Sequence, residues 1–388
     1  MIPRRLSLLL PLIALLSACA VPFGQTPTGG DVAPDGPVKV ALLVPLGTGN
    51  TQEEGLAESL VNAAKLAQGD LQGVEVALTV HATAGTPEGA DAAMTEALAS
   101  EPDIILGPLF AGSTAVVEPR AAAAGLTVFS FSNDPSVAGG AVVTLGNSFL
   151  NTARRVVGYA TEQGLRDIAV VSTTDDVGAL ALAATRQAAQ AAGATIVAAE
   201  AYPRSIQGIS EAGPAIAERL RAAAPEALVL TDGPTGGLAF IAETLRLRGV
   251  RSETVRLLGL QRWDASPQAM AQPALAGGWY AAPDQILVDA FASRYQARYG
   301  ARPHPLAPLA YDGVAAIGAL VAEARADGGG AAFSQARLTQ PAGFAGVNGI
   351  FRILPGGLTE RALAIYEVTD GQPRQISPAP RRFGVGGS

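Results

Sequence analysis

Residues 38–67 read VKVALLVPLGTGNTQEEGLAESLVNAAKLA, and this stretch decides the fold. It opens on an aliphatic run at 38–46, which predicts a strand. After a glycine-containing loop, apolar residues recur at helical spacing, with Leu56, Leu60 and Ala67 on one face. A strand followed by an amphipathic helix is the unit that builds parallel sheets covered by helices.

The same alternation continues along the chain in two series. In the first series we expect strands at 74–81, 104–106 and 127–130, with helices at 87–99 and from residue 113. In the second series we expect helices at 149–162, 179–192, 209–224 and 237–248, with strands at 168–172, 195–201, 227–230 and 255–259. Two long helices at 284–300 and 306–324 follow, and then a β-hairpin built from 349–352 and 362–369. This order predicts an α/β protein of two lobes, each a mostly parallel sheet covered by helices.

Composition agrees with a large globular body. The chain has 388 residues, of which 48% are hydrophobic and 16% charged. Roughly 350 residues beyond the N-terminal segment exceed what one compact core usually holds, which favours two lobes. The net charge is −7 and the sequence has no extended basic run, with Arg381-Arg382 in the C-terminal tail, so we expect no nucleic-acid partner.

The N-terminus carries a secretory signal. Arg4 and Arg5 precede an uncharged apolar run at 6–16, which is too short to cross a bilayer. Residues 16–19 read LSAC and resemble the bacterial lipobox, which implies cleavage before Cys19 and lipidation of this single cysteine. The alternative is an ordinary signal peptide with an incidental cysteine. The proline- and glycine-rich stretch at 20–37 predicts a disordered tether.

The order of elements resembles the type I periplasmic binding proteins, in particular the leucine-binding group, over residues 38–369. The resemblance implies three inter-lobe crossings, near 145–147, 278–283 and 343–349, and a ligand cleft between the lobes. On this basis lobe 1 comprises 38–146 and 282–342, lobe 2 comprises 147–281 and 343–370, and 371–388 form a flexible tail.

Four stretches resemble the lipoprotein activators of class A penicillin-binding proteins more closely: ILGPL at 105–109, LGLQRWD at 258–264, GGWYAAP at 277–283 and LAYDGV at 309–314. This resemblance implies a role in peptidoglycan synthesis with a class A penicillin-binding protein as partner, and the segments around Trp263 and Trp279 favour it. It also implies, with Ala20 after the lipidated cysteine, a periplasmic protein anchored in the inner leaflet of the outer membrane. The well-known enterobacterial members carry a helical domain ahead of this module, where this chain has a short tether. The alternative is the substrate-binding protein of an ABC transporter for an amino acid or related solute, with the permease as partner.

Candidate ligand-binding residues lie in loops that follow the carboxyl ends of predicted strands, where ligands bind in open α/β sheets. Each loop has a structural alternative, namely a plain turn at 47–50, a helix N-cap at 113–114 and an Asx turn at 133–134. The candidates are Gly47, Thr48, Ser113, Thr114, Ser132, Asn133, Asp175, Asp176, Asp232 and Gln261.

Two further expectations concern chemistry. Gln261 stands where the family places an acidic partner for a ligand ammonium, and an amide lacks that countercharge, although Asp175 or Asp176 could substitute. The two histidines, His81 and His304, lie beside no nucleophile and in no metal-ligand spacing. We therefore expect no enzymatic activity, no metal and no cofactor.

Overall fold

The computed structural model describes residues 31–384 of the chain. The predicted signal segment, Cys19 and residues 20–30 lie outside the described residues, as do 385–388. Within the described part, seven strands and five helices precede residue 195, and they build the first sheet and begin the second. They are β1 (Asp31–Val32), β2 (Val38–Val44), α1 (Thr51–Asp70), β3 (Val76–Ala82), α2 (Pro87–Ala99), β4 (Ile104–Leu106), α3 (Ala111–Ala123), β5 (Val128–Ser130), β6 (Val142–Thr144), α4 (Phe149–Glu162), β7 (Asp167–Thr173) and α5 (Asp176–Ala192).

The rest of the described chain completes both lobes. Its elements are β8 (Thr195–Tyr202), α6 (Ile206–Ala223), β9 (Ala227–Leu230), α7 (Leu238–Leu247), β10 (Arg256–Gly259), α8 (Pro267–Met270), β11 (Trp279–Ala282), α9 (Gln285–Tyr299), α10 (Ala307–Ala326), β12 (Gly330–Ala331), α11 (Gln335–Leu338), β13 (Phe344–Gly346), β14 (Gly349–Ile353), β15 (Thr359–Arg361), β16 (Ala364–Thr369) and β17 (Gln372–Ser377).

Each lobe is built on one large sheet. Lobe 1 has the parallel order β3-β2-β4-β5-β6. Lobe 2 has the order β17-β16-β11-β10-β9-β7-β8, in which β16 runs antiparallel to both of its neighbours, β11 and β17, and all other neighbouring strands pair in parallel. The predicted two-lobed α/β class is therefore confirmed.

The central strands of both sheets are buried on both faces, which explains why they are almost wholly aliphatic rather than alternating with polar residues, whereas the edge strands β3, β8 and β17 are partly exposed. Along β2, Val40 and Leu42 pack against α1 and α10, whereas Ala41 and Leu43 pack against α2 and α3. Lobe 2 repeats the arrangement, with α6 and α7 on one face and α4 and α5 on the other. Among the described helices, α10 has the length and hydropathy of a membrane span, and most of it is buried in lobe 1.

Local signals in the sequence fix the helix ends. The Asn50 side chain accepts hydrogen bonds from the backbone N–H groups of Gln52 and Glu53, which starts α1. Thr86 caps α2 in the same way, with Pro87 in the first turn. Gly193 ends α5 in the left-handed conformation (φ +69°).

The C-terminal part differs from its prediction in two ways. The expected hairpin of 349–352 with 362–369 is wrong, because β14 pairs with β13 and β15, while β16 joins the lobe 2 sheet. Phe344 and Phe351 pack in the core of lobe 1, so the chain returns to lobe 2 near residues 361–364, later than the expected 343–349. A turn containing Gly356 and Gly357 is compatible with the predicted hairpin and with the observed β14–β15 pair. The observed pairing is selected by the packing of Phe344 and Phe351 in the core of lobe 1.

Both predicted flexible segments are partly ordered. Residues 31–32, expected in the tether, pair with β12, and Arg325 donates a hydrogen bond of 2.7 Å to the Gly36 carbonyl. Residues 372–377, expected in the tail, form β17 at the edge of the lobe 2 sheet. Proline and glycine content suggested disorder in both places, but backbone pairing with an exposed sheet edge needs no hydrophobic periodicity.

Candidate functional site

A cavity of about 530 Å³ lies between the two lobes. Lobe 1 contributes residues around Phe131 and Leu309, lobe 2 contributes residues 260–262, and the crossing at 146–152 forms part of the wall. The lining residues include Leu56, Leu109, Phe110, Phe131, Ser132, Asn133, Asn147, Phe149, Thr152, Leu260, Gln261, Arg262, Leu306, Leu309, Asn348, Arg361 and Leu363. We call this cavity the inter-lobe cleft.

Three of the predicted binding residues, Ser132, Asn133 and Gln261, line the cleft. The Ser132 hydroxyl accepts a hydrogen bond of 3.1 Å from the Asp134 N–H, and Asn133 beside it is exposed. On the opposite wall, Gln261 donates through Nε2 to the Thr231 carbonyl at 3.0 Å. The loop after β5 in lobe 1 and the loop after β10 in lobe 2 therefore face each other, as expected for carboxyl ends of parallel strands.

Gly47, Thr48, Ser113 and Thr114 are not among the residues that line the cleft. The Thr48 hydroxyl accepts a hydrogen bond of 3.1 Å from the Asn50 N–H, which makes 47–50 a turn before α1. Ser113 and Thr114 are buried, and their hydroxyls donate to the carbonyls of Thr86 and Phe110. They do not cap α3 either, because that helix starts at Ala111.

The three predicted acids of lobe 2 also lie away from the cleft lining. Asp175 caps α5 and forms an ion pair of 2.6 Å with Arg204. Hydrogen bonds from the Thr173 hydroxyl, the Gly178 N–H and Arg204 lower the pKa of Asp175 to about 2. Asp176 is exposed in the first turn of α5. Neither supplies the countercharge considered for a ligand ammonium.

Asp232 has a structural environment as well. It is 3% exposed and accepts hydrogen bonds from the Tyr202 hydroxyl at 3.0 Å and the Gly237 N–H at 2.8 Å. Burial, followed by the charge of Asp232, raises the pKa of Tyr202 well above its usual range. Asp232 thus holds the turn before α7 against β8.

The sequence predictions missed a buried ion pair at the base of the cleft. Arg361 donates from Nη1 to Asp312 Oδ2 at 2.7 Å and from Nε to the Leu145 carbonyl at 2.9 Å, and its guanidinium lies 4.8 Å from the centroid of the Phe351 ring. Asp312 is fully buried, and burial raises its pKa despite the Arg361 charge. The pair joins α10 of lobe 1 to the first and third crossings.

Arg361 also has an unsatisfied donor. Its side chain is 8% exposed, and Nη2 is buried without a hydrogen-bond partner among the described residues. Asn348 also lines the cleft, and its Oδ1 is likewise buried without a hydrogen-bond partner among the described residues. A weak signal for this site was available, an aspartate inside an otherwise apolar helical segment, but its partner lies 49 residues further along the chain.

Most of the lining is apolar, and this too was not predicted. Phe110 and Leu306 precede α3 and α10, where no side chain caps the helix, and they are 37% and 38% exposed. In the sequence, a large apolar residue where an N-cap serine or aspartate is usual could have indicated that these side chains line a cavity. No aspartate or glutamate lines the cleft within residues 31–384, and the two arginines are Arg361 and Arg262, the latter paired with Asp264. The described residues contain no group of side chains that could hold a metal ion.

The sequence from residue 37 to residue 373 matches the family model described as periplasmic binding protein. The chain belongs to this family. Membership implies a periplasmic location and a binding-protein fold with a small-molecule cleft between its lobes. No curated protein matches it in sequence.

Solved structures agree on the fold of this periplasmic binding protein. A branched chain amino acid ABC transporter periplasmic ligand-binding protein from Burkholderia xenovorans superposes with a TM-score of 0.69 at 18% identity, covering 88% of this chain and 96% of its own. An ABC transporter substrate-binding protein from Desulfitobacterium hafniense in complex with Leu gives 0.64 at 20% identity, covering 88% and 100%. A solute binding protein from R. palustris in complex with benzoate gives 0.59 at 17% identity, covering 89% and 98%.

Proposed function

We propose that this periplasmic binding protein is the solute receptor of an ABC transporter and that its solute is a small organic acid with an apolar body. The inter-lobe cleft carries the proposal, because about 530 Å³ bounded by both lobes can close around one small molecule. The B. xenovorans, D. hafniense and R. palustris proteins, all described as parts of ABC transporters, support this function at the level of the fold. The proposal includes no catalytic step.

The lining favours a ligand with a large apolar part. Leu109 and Phe131 from lobe 1 and Leu260 from lobe 2 present buried apolar surface to the cavity. Phe110 and Leu306 stay partly exposed at its rim, so a bound apolar group would remove their side chains from water. Each such contact favours closure of the lobes on the ligand.

The polar groups favour a carboxylate over an ammonium. Asn133 is an exposed hydrogen-bond donor and Arg361 brings a guanidinium to the lining, whereas no carboxylate lines the cleft in the described part of the chain. The ammonium of a free amino acid would be buried without a countercharge, at a cost of several kcal/mol. Among the structural relatives, the R. palustris protein holds benzoate, an acid without an ammonium.

Calorimetric titration of the purified protein tests the proposal. Aliphatic and aromatic monocarboxylic acids, with benzoate as the reference probe, are compared with leucine, isoleucine and valine. We expect saturable one-to-one binding of at least one acid and weaker binding of all three amino acids. Binding should be lost in Leu306→Trp, which fills the cleft, and kept in Leu247→Trp, an equal change at an exposed position outside it.

The outcomes separate the parts of the proposal. Tighter binding of an amino acid than of any acid would overturn the ligand class and keep the receptor function. If no compound binds, or if Leu306→Trp binds as well as the parent protein, the receptor function fails. Uptake of the bound acid by cells lacking this gene should be reduced.

The activator of a class A penicillin-binding protein is the second candidate. The four sequence stretches and the lipobox favour it, but Trp263 is fully buried and Trp279 is 8% exposed, so neither tryptophan can form a docking surface. Instead the Trp263 ring packs 5.8 Å from that of Tyr280. Specific capture of a class A penicillin-binding protein by this protein in a pull-down, in the absence of any solute effect, would make it the function.

The proposed membrane anchor rests on the sequence of residues 16–19. We propose that Cys19 is lipidated and holds the protein at the inner leaflet of the outer membrane. Labelled palmitate should be incorporated into the parent protein and not into Cys19→Ser. Outer-membrane fractionation that is unchanged in Cys19→Ser would contradict it.

A further inference from the structure

A second cavity, of about 470 Å³, lies in lobe 2 on the other side of the crossings. It is bounded by α4, the C-terminal end of α5 and the segment that follows β17. We call it the arginine groove and define it by Arg154, Arg155, Tyr159, Glu162, Arg166 and Phe383. None of these six residues lines the inter-lobe cleft.

Small residues leave the space open. Gly158 of α4 and Ala188, Ala191 and Ala192 of α5 line the groove. A Cβ atom built at Gly158 meets no atom within 4 Å, so the backbone there borders empty volume. A glycine inside a helix costs about 1 kcal/mol relative to alanine, and packing between helices does not require this one.

The three arginines of the groove carry charges without ion-pair partners. Within the described residues, none of Arg154, Arg155 and Arg166 lies within 4.0 Å of a carboxylate oxygen. Of the two acids in the lining, Glu360 is already paired with Arg352, which leaves Glu162. The groove therefore has an excess of positive charge in a protein whose net charge is −7.

One of these arginines, Arg155, is held in place by neutral acceptors. Arg155 donates from Nε to the Leu363 carbonyl and from Nη2 to the Ser377 hydroxyl, both at 2.7 Å. These acceptors are neutral, and burial lowers the pKa of Arg155. Arg154 Nε is buried with no hydrogen-bond partner in the described chain. A bound anion would supply the missing countercharge.

We propose that the arginine groove is a second binding site, for a small polyanion that carries phosphate or carboxylate groups. Guanidinium groups match both anions because each presents two parallel N–H donors. The volume is in the range of small-molecule sites, and Tyr159 and Phe383 add aromatic side chains to the lining. The site does not depend on which solute the inter-lobe cleft holds.

Calorimetric titration of the full-length protein with pyrophosphate and with citrate tests the site, and the two arms distinguish phosphate from carboxylate recognition. We expect saturable binding of at least one anion. Arg154→Gln should weaken it about tenfold or more, because a hydrogen bond to a charged group is lost. Arg186→Gln is the matched control, since it removes an exposed α5 charge that does not line the groove.

A second variant separates binding from folding. Gly158→Leu should fill the groove and abolish anion binding, while its thermal unfolding midpoint stays equal or rises, because the position is an open helical one. The same variant should still bind the solute of the inter-lobe cleft. Absence of saturable anion binding in the parent protein, or equal anion affinity in Gly158→Leu, would overturn the proposal.

Discussion

The inter-lobe cleft and the arginine groove are similar in size, about 530 and 470 Å³, and opposite in character. The cleft is mostly apolar, whereas the groove collects unpaired arginines. Helix α4 separates them, with Phe149 and Thr152 facing the cleft and Arg154 and Arg155 facing the groove. Side chains of this one helix therefore contribute to the lining of both cavities. Arg361 and Leu363 line both cavities and form a wall that the two share.

The largest expected effect on stability comes from removing the ion pair that holds Arg361 in this shared wall. Asp312→Asn leaves the buried guanidinium of Arg361 without its countercharge, and we expect the free energy of unfolding to fall by about 3–5 kcal/mol. Chemical denaturation measures it. Asp327→Asn is the control, because it breaks an exposed pair with Arg337 that is worth about 1 kcal/mol or less. Equal losses in the two variants would contradict the importance of the buried pair.

The next largest effect changes the charge of the cleft alone. Asn133→Asp adds a carboxylate to a lining position where the asparagine side chain makes no hydrogen bond in the described structure. At ~8 Å and an effective dielectric constant of ~20 this repulsion is about 2 kcal/mol. Calorimetry should show roughly thirtyfold weaker binding of an organic acid and tighter binding of leucine.

Two comparisons accompany Asn133→Asp. Gln187→Glu adds the same charge at an exposed position of α5 and should leave cleft affinity unchanged. Anion binding in the groove should be unchanged in Asn133→Asp. Stronger binding of the organic acid to this variant would contradict the electrostatic account of ligand class.

Much of the fold follows from the sequence because the central strands of both sheets are buried on two faces. The predicted bounds of α2 at 87–99, α4 at 149–162 and β9 at 227–230 are those of the structure. Strands such as β1, β12 and β17 were not predicted, because they are short or polar and form through pairing with a partner distant in sequence. Local patterns contain no information about such partners.

Less of the site follows from the sequence. The rule that ligands bind beyond the carboxyl ends of strands places Ser132, Asn133 and Gln261 at the cleft. The same rule selects Ser113 and Asp232, whose polar groups instead bond to backbone within their own lobe. Hydroxyls and carboxylates serve turns and ligands equally well, so residue type alone cannot separate the two uses.

A smaller effect distinguishes the cavities by ionic strength. Arg166 in the groove is exposed, so dissolved salt screens its attraction for a polyanion. The Debye screening length is about 8–10 Å at physiological ionic strength and becomes shorter as salt is added. Raising salt well above physiological strength should weaken groove binding by roughly 1 kcal/mol, about fivefold, and cleft binding much less. Titrations at low and high salt, with chloride as the only added anion, measure both. Equal salt dependence at the two sites would contradict the assignment of charge to the groove.

The smallest effect concerns pH, and it should appear on the cleft side. Burial lowers the pKa of His304, whose Nδ1 accepts a hydrogen bond of 3.2 Å from the Leu306 N–H at the cleft rim. Below the unfolded pKa of ~6.5 the unfolded chain takes up a proton that the folded chain resists. The free energy of unfolding should therefore fall as pH is lowered through this range, by about 1 kcal/mol or less.

His304→Asn isolates this contribution, because the asparagine oxygen can accept the Leu306 N–H without titrating. The fall in unfolding free energy between pH 7.5 and 5.5 should be smaller in the variant than in the parent protein. An identical slope in His304→Asn would show that the histidine at the rim does not couple folding of the cleft to pH.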